Sequence, residues 1–240
     1  MKLHIANKNY SSWSLRPWVL MTSLGLPFEE SLHPFPMAGG PSGFDAFSPS
    51  GNVPVLVDAQ HTVWDTLAIT EYLAEQHPQV WPADTTARAW ARSAAAEMHS
   101  GFGALRHICG MSCGVRVALH LPLPGGLVKD LQRLQALWND GWQRFGGPFL
   151  AGAQFTAVDA FFCPVAFRVQ TYALPLSDEC LAYVHKLLAL PAMQAWYAAA
   201  LQEPWIELAH DAEALSFGRL LQDLRAPNHG MGPASSPNKG

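Results

Sequence analysis

No uninterrupted apolar stretch in this 240-residue chain approaches the roughly 18 to 20 residues that a membrane-spanning helix needs. Glycine, proline or a charge breaks every one, which argues against a helical membrane protein. The opening Met1-Lys2-Leu3-His4-Ile5 passes within a few residues to Asn7-Lys8-Asn9 and lacks the apolar core of a secretory signal. The expected compartment is therefore the cytoplasm. Charge is sparse, 14% of residues, and no basic patch or stripe occurs, which speaks against nucleic acid as a partner. Cysteine is absent from the first 108 residues. The four present, Cys109, Cys113, Cys163 and Cys180, show neither a zinc-ribbon spacing nor a CxxC pair, so reduced, buried thiols are expected and no metal site. Cys109 and Cys113 are four apart and would share a face if both lay on one helix, where a metal or oxidation could join them.

What the chain does have is apolar side chains, 49% of the total, enough for a sizeable core and, at this length, for two modules. The acidic excess falls in the first third, and no internal repeat is evident.

Leu3 to Ala6 reads as a strand, followed by the polar turn Asn7 to Tyr10 and then a helix. In that helix Leu15, Trp18 and Val19 keep helical spacing, Pro17 sits early and Gly25 offers a stop. Phe28 to His33 reads as a second strand, and Pro34 to Gly43 as a loop. Pro54 to Val57 and Thr62 to Trp64, joined by Asp58-Ala59-Gln60-His61, read as a hairpin, with a helix opening at Asp65-Thr66. The order is βαβ, then ββα. Residues 77–86, with Pro78 and Pro82, read as a linker, and everything beyond them as helical. One helix would run from Ala87 through Phe102 to Leu105, a second from Leu127 to Phe145, and a third from Val158 to Val169, bent at Pro164. Weaker helices are expected over Asp178 to Ala189 and Ala192 to Gln202. Residues 226–240 are Pro, Gly, Ser and Asn with almost nothing apolar, and a disordered tail is expected there.

Three constellations could carry chemistry. Tyr10-Ser11-Ser12-Trp13-Ser14-Leu15-Arg16 joins the first strand to the first helix. Hydroxyls and unpaired backbone N–H groups at a helix start favour an anion, a thiolate included. They equally serve as ordinary caps, although three serines exceed what one cap requires. In Asn52-Val53-Pro54-Val55 the proline could simply open a strand. A cis Val53-Pro54 bond would instead turn the Val53 backbone outward, where a peptide-like ligand could pair with it. Asp65 and Thr66 could cap a helix, or could hold the ammonium and carboxylate of an amino-acid ligand.

Together, in this order and at these intervals, the three resemble the glutathione transferase family: a serine-bearing loop after the first strand, a VP step before the third, and a D-T-x-A-I turn into a helix. Ser11-Ser12-Trp13-Ser14-Leu15-Arg16 is most similar to the Ser-Ser-x-x-x-Arg loop of bacterial serine-type members and of the zeta class, which includes maleylacetoacetate isomerases. The resemblance spans about Lys2 to Gln202. It implies a thioredoxin-like α/β amino-terminal domain over residues 1–78 that binds glutathione, and an all-α domain over 87–225. Phe155-Thr156-Ala157-Val158-Asp159 is similar to the family's helix-start motif in the second domain, and physically it is a capping box with a folding role.

The implied activity is that of a detoxifying transferase, which activates the glutathione thiolate for attack on a small electrophile, by conjugation or by peroxide reduction. The alternatives are an isomerase of the maleylacetoacetate type or a non-catalytic binding protein. Glutathione is co-substrate, no cofactor is required, and a homodimer is implied. Ser11 or Ser12 would stabilise the thiolate. Val53 beside cis-Pro54 would bond the cysteinyl backbone, Asp65 and Thr66 would hold the γ-glutamyl end, and Trp13, Met98, His99, Phe102 and Arg106 are candidates for the second-substrate pocket. The sequence departs from expectation between Pro34 and Asn52, where no Lys or Arg is available for the glycine carboxylate. That leaves His33, Asn52 or a partner subunit.

Overall fold

The computed structural model describes residues 1–35 and 43–226. Much of the proline- and glycine-rich loop (36–42) and the expected tail (227–240) lie outside the described residues. The first element, β1 (Lys2–Ile5), runs into α1 (Ser12–Ser23) and returns as β2 (Glu29–Leu32). The two strands pair in parallel, Lys2 opposite Glu29 and Ile5 opposite Leu32, as a crossover through a helix requires. Beyond the loop, β3 (Val55–Asp58) and β4 (His61–Trp64) form an antiparallel hairpin whose turn is Ala59-Gln60, with Ala59 at φ 50°. β3 lies antiparallel on the other side of β1, so the strand order is β2-β1-β3-β4. α2 (Thr66–Gln76) follows the hairpin, and a 3₁₀ turn at Pro78–Val80 leads out of the domain. This is the thioredoxin-like βαβ-ββα order expected from the strand and turn signals.

The second part is built on helices α3 (Thr85–Ser100), α4 (Gly103–Ile108), α5 (Gly125–Phe145), α6 (Ala157–Tyr172), α7 (Asp178–Leu188), α8 (Pro191–Gln202) and α9 (Leu208–Ser216). α6 is buried on every residue except Gln170 and packs against α1, α3 and α7, so one helix ties the two halves into a single core. Gly141 lets α5 close on α3: a Cβ there would stand 2.6 Å from Trp90 and from the Leu150 carbonyl.

Two expectations need correction. The helix anticipated from Ala87 to Leu105 ends at Ser100, because Phe102 takes a left-handed conformation, φ 53°, and a new helix starts after it. Nor is everything past residue 86 helical. β5 (Val115–Leu119) pairs antiparallel with β6 (Gly218–Asp223), about a hundred residues later in the chain. Gly218 is required there, since a Cβ would meet the Ala118 carbonyl at 2.5 Å. Cys109 and Cys113 share no helix, α4 having ended at Ile108. All four cysteines are free and buried.

The start of α6 shows how tightly this core is specified. The Asp159 carboxylate accepts from the Thr156 N–H at 3.0 Å, the Leu150 N–H at 3.0 Å and the Tyr183 hydroxyl at 2.8 Å, with no exposure to solvent. Burial pushes its pKa up to about 6 against the pull of these donors. Replacing Asp159 by Ala strands two backbone donors and a phenol in the core, and should cost about 3 to 5 kcal/mol, seen in urea unfolding as a lower midpoint at unchanged slope. Because the folded pKa lies above the unfolded value, stability should fall as pH rises from about 4 to about 6, and Asp159→Asn should remove that component.

Candidate active site

The loop from Asn7 to Ser12 is fixed from several sides. The Glu203 carboxylate accepts from the Lys8 N–H at 2.5 Å and the Asn9 N–H at 3.1 Å, the Trp196 indole donates to the Lys8 carbonyl, and the Cys113 N–H donates to the Asn9 carbonyl. Burial raises Glu203 to about 7, a cost that the two backbone donors and Lys8 only partly offset. Tyr10 is held from the far end of the chain. Its hydroxyl donates to Asp211 at 3.1 Å and accepts from Arg225 at 2.7 Å, and burial and Asp211 push its pKa up to about 12. Tyr10 therefore keeps its proton and is already engaged.

The three serines that follow differ sharply. Ser11 is the N-cap of α1: its hydroxyl accepts from the Ser14 N–H at 3.3 Å and donates to the Ser14 hydroxyl at 2.8 Å. Ser14 in turn accepts from the Ala6 N–H at 3.1 Å. Ser12, the first residue of α1, has no hydrogen-bond partner for its hydroxyl among the described residues and opens on a cavity of about 480 Å³. The surplus of serines thus resolves into two structural hydroxyls and one free.

Val53 sits just outside the sheet ladder, whose register begins at Val55, and the Val53-Pro54 bond is cis. A second cavity of about 390 Å³ lies between this step and the start of α2 and shares Trp13, Asn52 and Val53 with the first. Asp65 caps α2 by accepting from the Leu67 N–H at 2.8 Å and holds φ 74°. The Thr66 hydroxyl lines this second cavity, buried and without a partner among the described residues. Asn52 also faces both cavities, with its side-chain amide donating to the Ser50 carbonyl at 2.9 Å.

Of the second-pocket candidates, Trp13 lines both cavities and Arg106 the larger. Met98 and Phe102 are core residues that line neither. His99 lies behind Trp13, edge-on to its ring at 5.1 Å, with Nε2 3.4 Å from Asp65; burial lowers its pKa, and Asp65 pulls the other way. His33 lines neither cavity: it is hydrogen-bonded to His4 at 2.9 Å, stacks on the His4 ring and meets Phe47 at a tilt. Sequence reasoning missed Arg168 of α6 and His107, which both line the larger cavity. Arg168 did leave a signal, being the only charge of α6 after its capping aspartate.

Residues 10–76 match the family model of the glutathione S-transferase N-terminal domain. A glutathione transferase homolog from Burkholderia gl BGR1, solved with bound glutathione, superposes with a TM-score of 0.64 at 23% identity, over 83% of this chain and 97% of that one. The fold is that of the glutathione transferases. A glutathione transferase from Methylococcus capsulatus gives 0.62 at 22% identity, covering 83% and 98% of the two chains. A sphingomonad glutathione S-transferase complexed with glutathione gives 0.57 at 21%, with the same coverage. No curated protein sequence matches the chain. Among the described residues no helix is long and apolar enough to cross a membrane, and no group of three metal-ligating side chains occurs.

The division of labour among the serines predicts different costs of removal. Ser11→Ala should destabilise the protein by about 1 kcal/mol through loss of the cap. Ser12→Ala should stay within about 0.5 kcal/mol of wild type, since no intramolecular hydrogen bond is lost. Thermal unfolding of the two variants side by side checks this.

Proposed function

We propose that the chain is a member of the glutathione transferase family that binds glutathione along the second cavity and activates its thiol at Ser12. The observation that carries this reading is the pair of hydroxyls without partners among the described residues, Ser12 at the start of α1 and Thr66 at the start of α2, on two cavities that meet at Val53. A γ-glutamyl carboxylate suits Thr66 and the N-terminus of α2, its ammonium suits Asp65, and the cysteinyl backbone reaches Val53. The sulfur then falls toward Ser12 and the N-terminus of α1.

The free hydroxyl and the helix terminus stabilise S⁻ over SH, so bound glutathione releases its proton to solvent. The thiolate attacks an electrophilic carbon presented in the larger cavity. A C–S bond forms and the leaving group departs with its bonding pair. The protein supplies electrostatic stabilisation and proximity, without a covalent enzyme intermediate. The cysteines of the chain do not compete for this role, because all four are buried and burial pushes their thiols up, Cys109 to about 12.

Ultraviolet titration of enzyme-bound glutathione tests the reading. In wild type the thiolate band should appear at least one pH unit below the roughly 8.5 of an unperturbed thiol. Ser12→Ala should move the transition back toward that value and lower turnover about 100-fold, while Ser11→Ala leaves the transition in place. Glutathione bound with an unshifted thiol in the wild type would contradict catalysis and favour a non-catalytic binding protein.

A further inference from the structure

Three arginines converge behind the larger cavity, and among the described residues none makes an ion pair with a carboxylate. Arg106 and Arg168 line it, and Arg16 lies directly beneath, its guanidinium 4.1 Å from the centre of the Trp13 ring and 5.1 Å from that of Phe161. Arg106 also stands over Trp13, at 5.5 Å. Arg168 is 3% exposed; one terminal nitrogen donates to the Cys109 carbonyl at 2.8 Å, and its Nε is buried without a partner. Arg106 donates to the His99 carbonyl at 3.1 Å. Both therefore meet backbone dipoles and no opposite charge.

The nearby carboxylates have other partners: Asp211 pairs with Arg225 at 2.7 Å and Glu207 with His210 at 2.7 Å, while Glu213, which itself lines the larger cavity, pairs with His107 of the same lining at 3.3 Å. Asp65 faces His99 from the other cavity. Among the described residues no carboxylate lies within 4.0 Å of any of the three guanidinium groups. Burial, followed by the field of Arg168 and Arg106, draws Arg16 down to about 9, against a weaker upward pull from Asp65. Uncompensated buried charge is costly, by several kcal/mol per ion, and an anion entering the cavity would relieve it.

We infer that the larger cavity selects an acceptor bearing a carboxylate or a similar anionic group, held by Arg106 and Arg168 beside the Trp13 ring. The inference rests on the glutathione reading above and specifies its second substrate. The anion is assigned to the acceptor, and not to the glycine end of glutathione, because Arg106 and Arg168 project from α4 and α6, on the helical wall of the cavity. Val53 and Asn52 line the same cavity from the step before β3 and are shared with the second cavity. A planar, conjugated acid fits best, since the same cavity offers the Trp13 face and the rings of Phe35 and Phe44.

Calorimetric titration with S-benzylglutathione and S-(4-carboxybenzyl)glutathione tests this without depending on turnover. Wild type should bind the carboxylated compound about tenfold tighter or more, as expected for one charge-assisted hydrogen bond, and added salt should shrink the gap. Arg106→Gln should bring the two within about twofold, Arg106→Lys should restore part of the preference, and neither should alter the affinity for glutathione itself by more than about twofold. Equal binding of the two compounds by wild type would overturn the inference while leaving the glutathione site intact. A parallel loss of affinity for plain glutathione in Arg106→Gln would assign the arginines to the tripeptide's own carboxylate and also overturn it. Failure of both compounds and of glutathione to bind would remove the underlying reading.

Discussion

The loop between β1 and α1 is where the two halves of the chain are hydrogen-bonded together, and the position of every other site group depends on it. Its backbone N–H groups at Lys8 and Asn9 are capped by Glu203, its carbonyls are taken by Trp196 and Cys113, and Tyr10 is locked to Asp211 and Arg225. A short polar loop would ordinarily be exposed and mobile. Here residues 7–12 are all buried, and the cost is met by donors and acceptors from the helical part. The consequence is a rigid entry into α1, so that Ser12 presents its hydroxyl from a fixed helix terminus with no rearrangement required on binding.

Two sets of buried polar groups in this molecule contrast. Asp159 and Glu203 are surrounded by donors, and their elevated pKa values record burial that hydrogen bonds largely compensate. They hold the fold. Arg16, Arg168 and Thr66 are buried with donor or acceptor capacity left unused, and all three lie at or directly behind the two cavities. Other buried polar atoms without a partner, such as the Trp81 and Trp138 indole N–H groups and the Ser112 hydroxyl, line neither cavity, so it is the clustering of Arg168 and Thr66 on the cavity walls, with Arg16 behind them, that points to a ligand.

Much of the first domain was legible in the sequence because its signals are local. Alternating short apolar runs, the Asp58-to-His61 turn and the Asp65-Thr66 cap each act within a few residues, and the 3.6-residue spacing of α5 and α6 is equally self-contained. The pairing of β5 with β6 was not legible, since Val115 to Leu119 gains strand character only from a partner a hundred residues away. The end of α3 was missed because a left-handed Phe102 leaves no compositional trace. Ser11 and Ser12 were indistinguishable as letters, and only the direction of the Ser11 hydroxyl toward Ser14 separates cap from candidate nucleophile stabiliser. Arg168 was masked by the apolar helix around it, although a lone cation in such a setting calls for a buried partner.

The central claim is that glutathione lies across Val53 and Thr66 with its sulfur at the start of α1. A crystal structure of the protein soaked with glutathione measures this directly. The account predicts the γ-glutamyl carboxylate on Thr66, the cysteinyl backbone on Val53, and the sulfur within hydrogen-bonding distance of the Ser12 hydroxyl. Glutathione bound with its sulfur turned away from Ser12, or seated elsewhere while both hydroxyls remain free, would contradict it.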